Sequence, residues 1–140
     1  MKRVLFVFLP LFIGVVGAKG QSDVETLVNI YGTEKVTTLQ QSNPEMLDYL
    51  IFKNKKAAYI QDMTGLKDIS QYPDALEIQP VNDSFPALNS QILSGEFPLL
   101  GYQFPISNDM HGYYRVGDTG VLLIVYPEIL IKMLYERANP

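Results

Sequence analysis

The first twenty residues constrain this chain more than any other feature, because they are expected to be removed before the protein folds. Residues 1–3 provide a basic start, residues 4–16 form an almost unbroken apolar run, and Ala18 and Gly20 place small side chains before a cut after Gly20. This is the layout of a secretory signal peptide. The apolar core is shorter than the ~20 residues of a membrane-spanning helix. We expect residues 1–20 to be a signal peptide and residues 21–140 to form the mature domain.

The chain contains no cysteine, which limits how it can be anchored and stabilised. A bacterial lipoprotein carries its acyl chains on a cysteine just after the signal peptide, so a lipid anchor is not expected. The 120 residues left after Gly20 are enough for one core without disulfides. An exported domain of this kind is more typical of a bacterial envelope than of a small eukaryotic secreted module. We expect a periplasmic protein, with the cell exterior as second choice, and no membrane span in the mature form.

Charge excludes two classes of partner. The first twenty residues hold three of the 11 Lys and Arg residues and none of the 15 acidic ones, so eight basic residues remain and the net charge falls from −4 to −7. Nucleic acid binding needs clustered Lys and Arg that release counterions from phosphates, and anionic lipid surfaces attract similar clusters. We expect neither nucleic acid nor an anionic membrane surface as a partner.

The first part of the mature chain is predicted to be helical. An S-x-x-E capping box at residues 22–25 precedes apolar residues with helical spacing, and Gly32 can end that helix. Thr33 begins a second helical stretch, and Asn43 and Pro44 are a typical cap and first-turn residue for a third. The third helix ends in Lys53, Lys55 and Lys56. We interpret these lysines as a solvated helix end that suits the negative pole of the helix, rather than as a binding patch.

Beyond residue 56 the pattern changes to short strands and turns. Long helices are disfavoured in the middle of the chain by Pro80, Pro86, Pro98 and Pro105. Strands are predicted at residues 57–63, 75–78, 97–104, 113–116 and 121–126. Gly117-Asp118-Thr119-Gly120 joins the last two strands as a hairpin turn, and Pro127 starts a C-terminal helix. This order predicts a single α+β domain with N-terminal helices, an antiparallel sheet of about 4–5 strands that ends in the 113–126 hairpin, and a C-terminal helix.

The strand at residues 121–126 is apolar throughout, which is typical of a central strand covered on both faces. An exposed edge of that composition would invite aggregation. Residues 75–78 and 97–104 are the predicted edges instead, because proline and a glycine bulge are tolerated there. A sheet edge at these segments could recruit a partner strand.

Few residues offer catalytic chemistry. His111 is the only histidine, and without cysteines it cannot complete a multi-ligand zinc site. Asp109, His111 and Arg115 lie close in sequence, but residues 107–112 are typical of a polar loop before a strand. No serine lies in a G-x-S-x-G or S-x-x-K motif, and no glycine-rich phosphate loop is present.

Asp118-Thr119-Gly120 resembles the active-site triplet of retroviral-type aspartic proteases, in which two half-sites share a proton between carboxylates. Those enzymes need a flap and a further apolar strand after the triplet, whereas only twenty, largely helical residues follow here. Turn chemistry explains the same residues, since glycine tolerates positive φ and aspartate caps its own backbone. We interpret the triplet as a turn. Residues 62–65 and 82–84 offer a few oxygen ligands without the spacing of a calcium loop.

Nine tyrosines and no tryptophan make tyrosine the main candidate for contact with a partner. Its apolar body and polar tip suit contact surfaces, although an antiparallel sheet also favours tyrosine. Adjacent Tyr113 and Tyr114 face opposite sides of their strand, so one of them is available to a partner. The residues predicted to contact a partner are Tyr102, Tyr113, Tyr114 and Arg115.

Residues 59–63, residues 113–126 and the pair Asn43-Pro44 together resemble small exported proteins of unknown function from bacteria that glide and use type IX secretion. The resemblance would cover most of the mature chain. It implies a periplasmic accessory protein attached to an envelope protein or to a component of the secretion or gliding machinery. It assigns no catalytic residue.

The leading prediction of function is a periplasmic, non-enzymatic accessory or binding protein that docks on an envelope or secretion-machinery partner. Two alternatives stay open: a small hydrolase that uses acidic residues with His111, and a calcium-stabilised structural module. A cleft that gathers Asp109, His111 and Arg115 with another carboxylate would favour the enzyme. A tyrosine-rich patch or a free sheet edge would favour docking. No cofactor is expected.

Overall fold

The computed structural model describes residues 22–66, 68–93 and 97–139, and the predicted signal peptide at residues 1–20 lies outside them. These residues form five helices and three strands, in the order α1 (22–31), α2 (Thr33–Ser42), α3 (Pro44–Lys56), β1 (Ala58–Asp62), α4 (Leu88–Ile92), β2 (Gly112–Arg115), β3 (Val121–Val125) and α5 (Glu128–Ala138). Short 3-10 turns lie at Ala75–Glu77 and Leu99–Gly101. The predicted α+β class is confirmed.

The strands predicted at residues 75–78 and 97–104 are wrong, because these segments contain the two 3-10 turns. Asp74 caps the first turn through its carboxylate, which accepts a hydrogen bond from the Leu76 N–H at 3.1 Å. Pro98 precedes the second turn and has no N–H to offer a sheet ladder. The sheet in the described residues therefore has three strands rather than about 4–5.

The strand β3 lies between β1 and β2 and runs antiparallel to both, which confirms the predicted central position. Its side chains alternate between two clusters. Leu123 and Val125 belong to the main core, whereas Leu122 and Ile124 lie on the opposite face, where Ile69 packs against them. We call the face that carries Leu122 and Ile124 the outer face of the sheet. Burial on both faces explains why β3 carries no polar residue.

The three N-terminal helices pack together around Leu27, Val36 and Leu47, which are buried. As predicted, Asn43 caps α3, since its side-chain oxygen accepts a hydrogen bond from the Met46 N–H at 3.2 Å. In the described part of the chain, no helix combines the length and the apolar character that crossing a membrane would require.

A polar network ties α5 to α3. The Glu128 carboxylate accepts a hydrogen bond from the Tyr49 hydroxyl and another from the Lys53 Nζ, the latter at 2.5 Å. Lys55 pairs with Asp23 of α1 at 3.3 Å. Two of the three lysines at the end of α3 therefore join helices to one another.

Candidate functional site

The outer face of the sheet brings aromatic side chains from all three strands together. Tyr59 of β1, Ile124 of β3 and Tyr113 of β2 are direct cross-strand neighbours. Because side chains alternate along a strand, Tyr126 lies on the same face two residues beyond Ile124, and His111 lies two residues before Tyr113. Ile124 is buried, whereas Tyr59 and Tyr113 are 41% and 39% exposed. The sheet thus supplies an apolar floor beneath accessible rings.

Five rings form a continuous row that we call the aromatic strip: Tyr59, Tyr126, His111, Tyr113 and Tyr72. Consecutive ring centroids along this row are 5.3, 5.8, 6.2 and 5.4 Å apart. Aromatic pairs in contact have separations of this size. Contact between neighbouring rings limits the side-chain freedom that a partner would have to remove on binding.

Burial raises the pKa of the Tyr126 hydroxyl, and the neighbouring Tyr59 raises it further. The Tyr126 hydroxyl therefore stays protonated at neutral pH and can both donate and accept hydrogen bonds. The surface offers apolar ring faces with polar tips. Such a surface suits contact with another protein better than capture of a small ion.

Arg115 secures one end of the aromatic strip. Its Nε donates a hydrogen bond to the Tyr72 carbonyl oxygen at 3.0 Å, and its Nη1 donates to the Asp74 carboxylate at 3.2 Å. The Asp74 carboxylate also accepts the Gly117 N–H at 3.3 Å. Burial alone would raise the pKa of Asp74, but the backbone hydrogen bonds and the Arg115 charge outweigh it, and the pKa is lowered. Arg115, predicted to contact a partner, is engaged in holding the Tyr72 segment against β2.

Two other residues predicted to contact a partner lie in the core. Tyr102 is 3% exposed, and its hydroxyl donates a hydrogen bond to the Pro86 carbonyl oxygen at 2.8 Å. Tyr114 is buried in the main core, where its ring packs edge-on against Phe104. Burial raises the pKa of both hydroxyls. Of the four predicted residues, Tyr113 is the one whose ring the structure leaves accessible to a partner.

The residues considered for hydrolysis lie in different surroundings. His111 packs in the aromatic strip, and Arg115 is held by Asp74. The Asp109 carboxylate accepts a hydrogen bond from the Ser107 Oγ at 3.3 Å within its own loop. Among the described residues, His111 contacts the rings of Tyr113 and Tyr126 and forms no hydrogen bond with a carboxylate.

The Asp118-Thr119-Gly120 triplet forms the β2–β3 turn. Gly120 has a φ of +80°, and the Thr119 hydroxyl donates a hydrogen bond to the Val116 carbonyl oxygen at 2.7 Å. The Asp118 side chain is exposed. These bonds are those of a tight turn, with the polar side chain closing on its own backbone.

The two segments considered for calcium use their oxygens locally. The Asp62 carboxylate accepts the Thr64 N–H at 2.9 Å, and the Asn82 side-chain oxygen accepts the Ser84 N–H at 2.8 Å. Across residues 22–66, 68–93 and 97–139, no three His, Asp or Glu side chains are grouped so as to hold a metal ion. Both segments are side-chain-capped turns.

The aromatic strip was only partly predictable. Tyr113 and its period-two neighbour His111 lie in one local pattern, which points them to the same side. Tyr59 joins them because β1 pairs with β3, and Tyr72 joins through a loop that Arg115 holds in place. No local sequence pattern predicts either of these long-range contacts.

Comparison with known proteins identifies no family for this chain. No family model matches the chain, and neither the curated proteins nor the solved structures contain a significant match.

Proposed function

We propose that this protein is a non-enzymatic binding protein of the periplasm that docks on a larger envelope protein through the aromatic strip. The observation that carries the proposal is the row of five contacting rings on the outer face, with Tyr59 and Tyr113 about two-fifths exposed. Aromatic residues are enriched at protein interfaces and supply much of their binding energy. A preorganised row of rings would bind with a small loss of conformational entropy.

The surroundings of the polar residues favour binding over hydrolysis. A hydrolase built on His111 would need a carboxylate or a nucleophile within hydrogen-bond reach of its ring. His111 instead contacts Tyr113 and Tyr126, with ring centroids 6.2 and 5.8 Å away. An imidazole between two phenol rings adds a polar group to a contact surface, which suits docking.

Export to the periplasm and attachment to the envelope, or to its secretion or gliding machinery, are part of the proposal. They rest on the signal-peptide pattern of residues 1–20 and on the resemblance to exported accessory proteins. Mass spectrometry of the protein purified from its native cells should find an N-terminus near Gln21 and no lipid adduct. Cell-associated protein that retains residues 1–20 would contradict this part.

The docking surface is tested by capture from detergent-extracted envelopes of the native bacterium. The tagged protein should retain one specific envelope protein, and the double variant Tyr59→Ala/Tyr113→Ala should lose it. Tyr31→Ala is the matched control, because it removes a partly buried tyrosine of α1 that lies outside the aromatic strip. Circular dichroism should show that all three proteins stay folded.

Titration with the captured partner measures how much binding free energy each ring contributes. Each single variant, Tyr59→Ala or Tyr113→Ala, should cost about 1–2 kcal/mol of binding free energy if its ring is an interface anchor. A folded double variant that binds as tightly as the parent would refute docking through the strip. Loss of binding in Tyr31→Ala alone would move the site to the N-terminal helices.

A further inference from the structure

The outer edge of β1 carries backbone groups that the sheet does not use. Met63 N–H donates to the Gly120 carbonyl oxygen at 2.8 Å, and Tyr126 N–H donates to the Ala57 carbonyl oxygen at 2.8 Å. In an antiparallel ladder, the backbone N–H and carbonyl groups of the odd-numbered residues of β1 therefore bond to β3. The backbone groups of the even-numbered residues point away from β3. Ile60 accordingly directs its N–H and carbonyl oxygen outward. Among the described residues, no strand lies on that side of β1.

A cleft of about 860 Å³ lies against β1. It is lined by three consecutive residues of β1, Ala58, Tyr59 and Ile60. Successive side chains of a strand point to opposite faces, so a cleft that meets all three residues reaches the backbone of β1 as well as its side chains. The outward backbone groups of Ala58 and Ile60 therefore face space that another chain segment can enter.

The walls of this cleft combine apolar and basic chemistry. Phe85, Phe97 and Ile60 are among the lining residues, and Ile60 is 41% exposed. The described charged residues along the cleft are Asp23, Lys55 and Lys56. Asp23 pairs with Lys55 at 3.3 Å, whereas Lys56 forms no ion pair within the described part of the chain. The cleft is locally basic on a protein whose overall charge is negative.

We propose that this cleft binds an extended, acidic polypeptide segment of a partner protein, which adds a fourth strand to the sheet beside β1. The outward N–H and carbonyl groups would bond to the main chain of the segment, as in other cases of strand addition. Apolar side chains of the segment would contact Phe85 and Phe97, and an acidic side chain would pair with Lys56. The cleft shares Tyr59 with the aromatic strip. Lys56→Glu and Ile60→Pro alter the cleft alone, whereas Tyr113→Ala alters the strip alone, so the two proposals can fail independently.

Synthetic peptides test the proposal directly on the protein purified from its native cells. The first probe alternates valine with glutamate, the second replaces each glutamate with lysine, and the third is the acidic peptide with alternate backbone nitrogens methylated. Fluorescence titration should give the tightest binding for the acidic peptide. We expect about tenfold weaker binding after N-methylation, which removes main-chain donors, and about three- to fivefold weaker binding for the lysine peptide.

Variants of the protein complete the test. Ile60→Pro removes an outward N–H without touching the ladder to β3, and proline is tolerated at such edge positions; it should weaken the acidic peptide about tenfold. Lys56→Glu should weaken it about threefold and lower its salt dependence. The matched control is Lys132→Glu, which changes an exposed lysine of α5 that does not line the cleft and should leave binding unchanged.

Three results would overturn the proposal. Equal binding of the acidic and N-methylated peptides would exclude main-chain pairing. Tighter binding of the lysine peptide would exclude an acidic segment. Sedimentation as a dimer that Ile60→Pro dissociates, with no peptide binding, would assign the edge to a second copy of this chain. Because Lys56→Glu and the N-methylated peptide do not alter β1, the test remains valid if Ile60→Pro does not fold.

Discussion

Substitutions in the β2–β3 turn test whether Gly120 is required for its backbone alone or also for its lack of a side chain. Its φ is +80°, a conformation that other residues rarely adopt. A Cβ added there would lie 2.4 Å from the Thr64 Oγ1 and 3.3 Å from the Thr64 Cα. Gly117 in the same turn has a φ of +55°, but its Cβ would come no closer than 3.9 Å to the Asn89 Nδ2. The two glycines therefore separate backbone strain from steric clash.

The structure sets the size of each effect. Gly117→Ala should cost only the left-handed backbone penalty, about 1–2 kcal/mol of unfolding free energy. Gly120→Ala should lose a similar amount of unfolding free energy to backbone strain. It should lose more to a clash with Thr64, because the backbone Cα of Thr64 cannot rotate away. Overpacking of this kind costs about 1–3 kcal/mol, so the total is about 2–5 kcal/mol. Gly120→Val should cost more, because a β-branched residue is strained further at positive φ.

Equilibrium urea unfolding followed by circular dichroism measures both variants, provided that the slope of the transition is unchanged. In the double variant Thr64→Ala/Gly120→Ala, the nearest clashing atom is gone, so the combined loss should be smaller than the sum of the single losses. Equal destabilisation by Gly117→Ala and Gly120→Ala would refute the steric part of this reasoning. No destabilisation by either would refute the turn conformation itself.

Two further predictions concern charged groups. Burial alone would raise the pKa of Glu128, but hydrogen bonds from Lys53 and Tyr49 outweigh it, and the pKa is lowered; Glu128→Gln should therefore cost about 1–2 kcal/mol at pH 7. A lowered pKa in the folded state stabilises the protein above the unfolded-state pKa of about 4.3, so the difference between parent and variant in urea unfolding should disappear as the pH falls through the folded-state pKa. Asp118→Asn should change stability by less than about 1 kcal/mol, because asparagine also tolerates and caps this turn, and should leave partner binding intact; loss of a measurable activity in a folded Asp118→Asn protein would reopen the acid-catalysis hypothesis.

The central position of β3 could be predicted because its own residues are all apolar, which indicates burial. A run of apolar residues that belongs to a strand must be covered on both faces, and a glycine-bounded turn before it supplies the antiparallel neighbour β2. The cap of α3 at Asn43 could be predicted for the same reason, since both partners of the hydrogen bond lie within one turn. Local chemistry of this kind requires no knowledge of the remaining fold.

The edge strands could not be assigned in this way. Residues 75–78 and 97–104 have strand-like composition, but local bonds such as that from Leu76 N–H to Asp74 satisfy the backbone as turns. In the described residues β1 is an edge strand, and its exposed Tyr59 and Ile60 resemble residues of a partly buried strand in sequence. Which strand lies at an edge depends on how strands pair across the whole chain. The amino-acid composition of a strand is a weak predictor of that pairing.

The aromatic strip and the cleft could be predicted only in part, because both depend on how the strands pair. The sequence predicts that Tyr113 and Tyr114 face opposite sides of the strand. Only the structure shows which side is the core, because Tyr114 packs against Phe104 there. Tyr59 then belongs both to the aromatic strip and to the cleft at the edge of β1. A strand added beside β1 would place alternate side chains next to Tyr59 on the outer face. One partner with an extended acidic segment could therefore occupy the cleft and contact the strip at the same time, and its two contacts would then reinforce each other through their effective concentration.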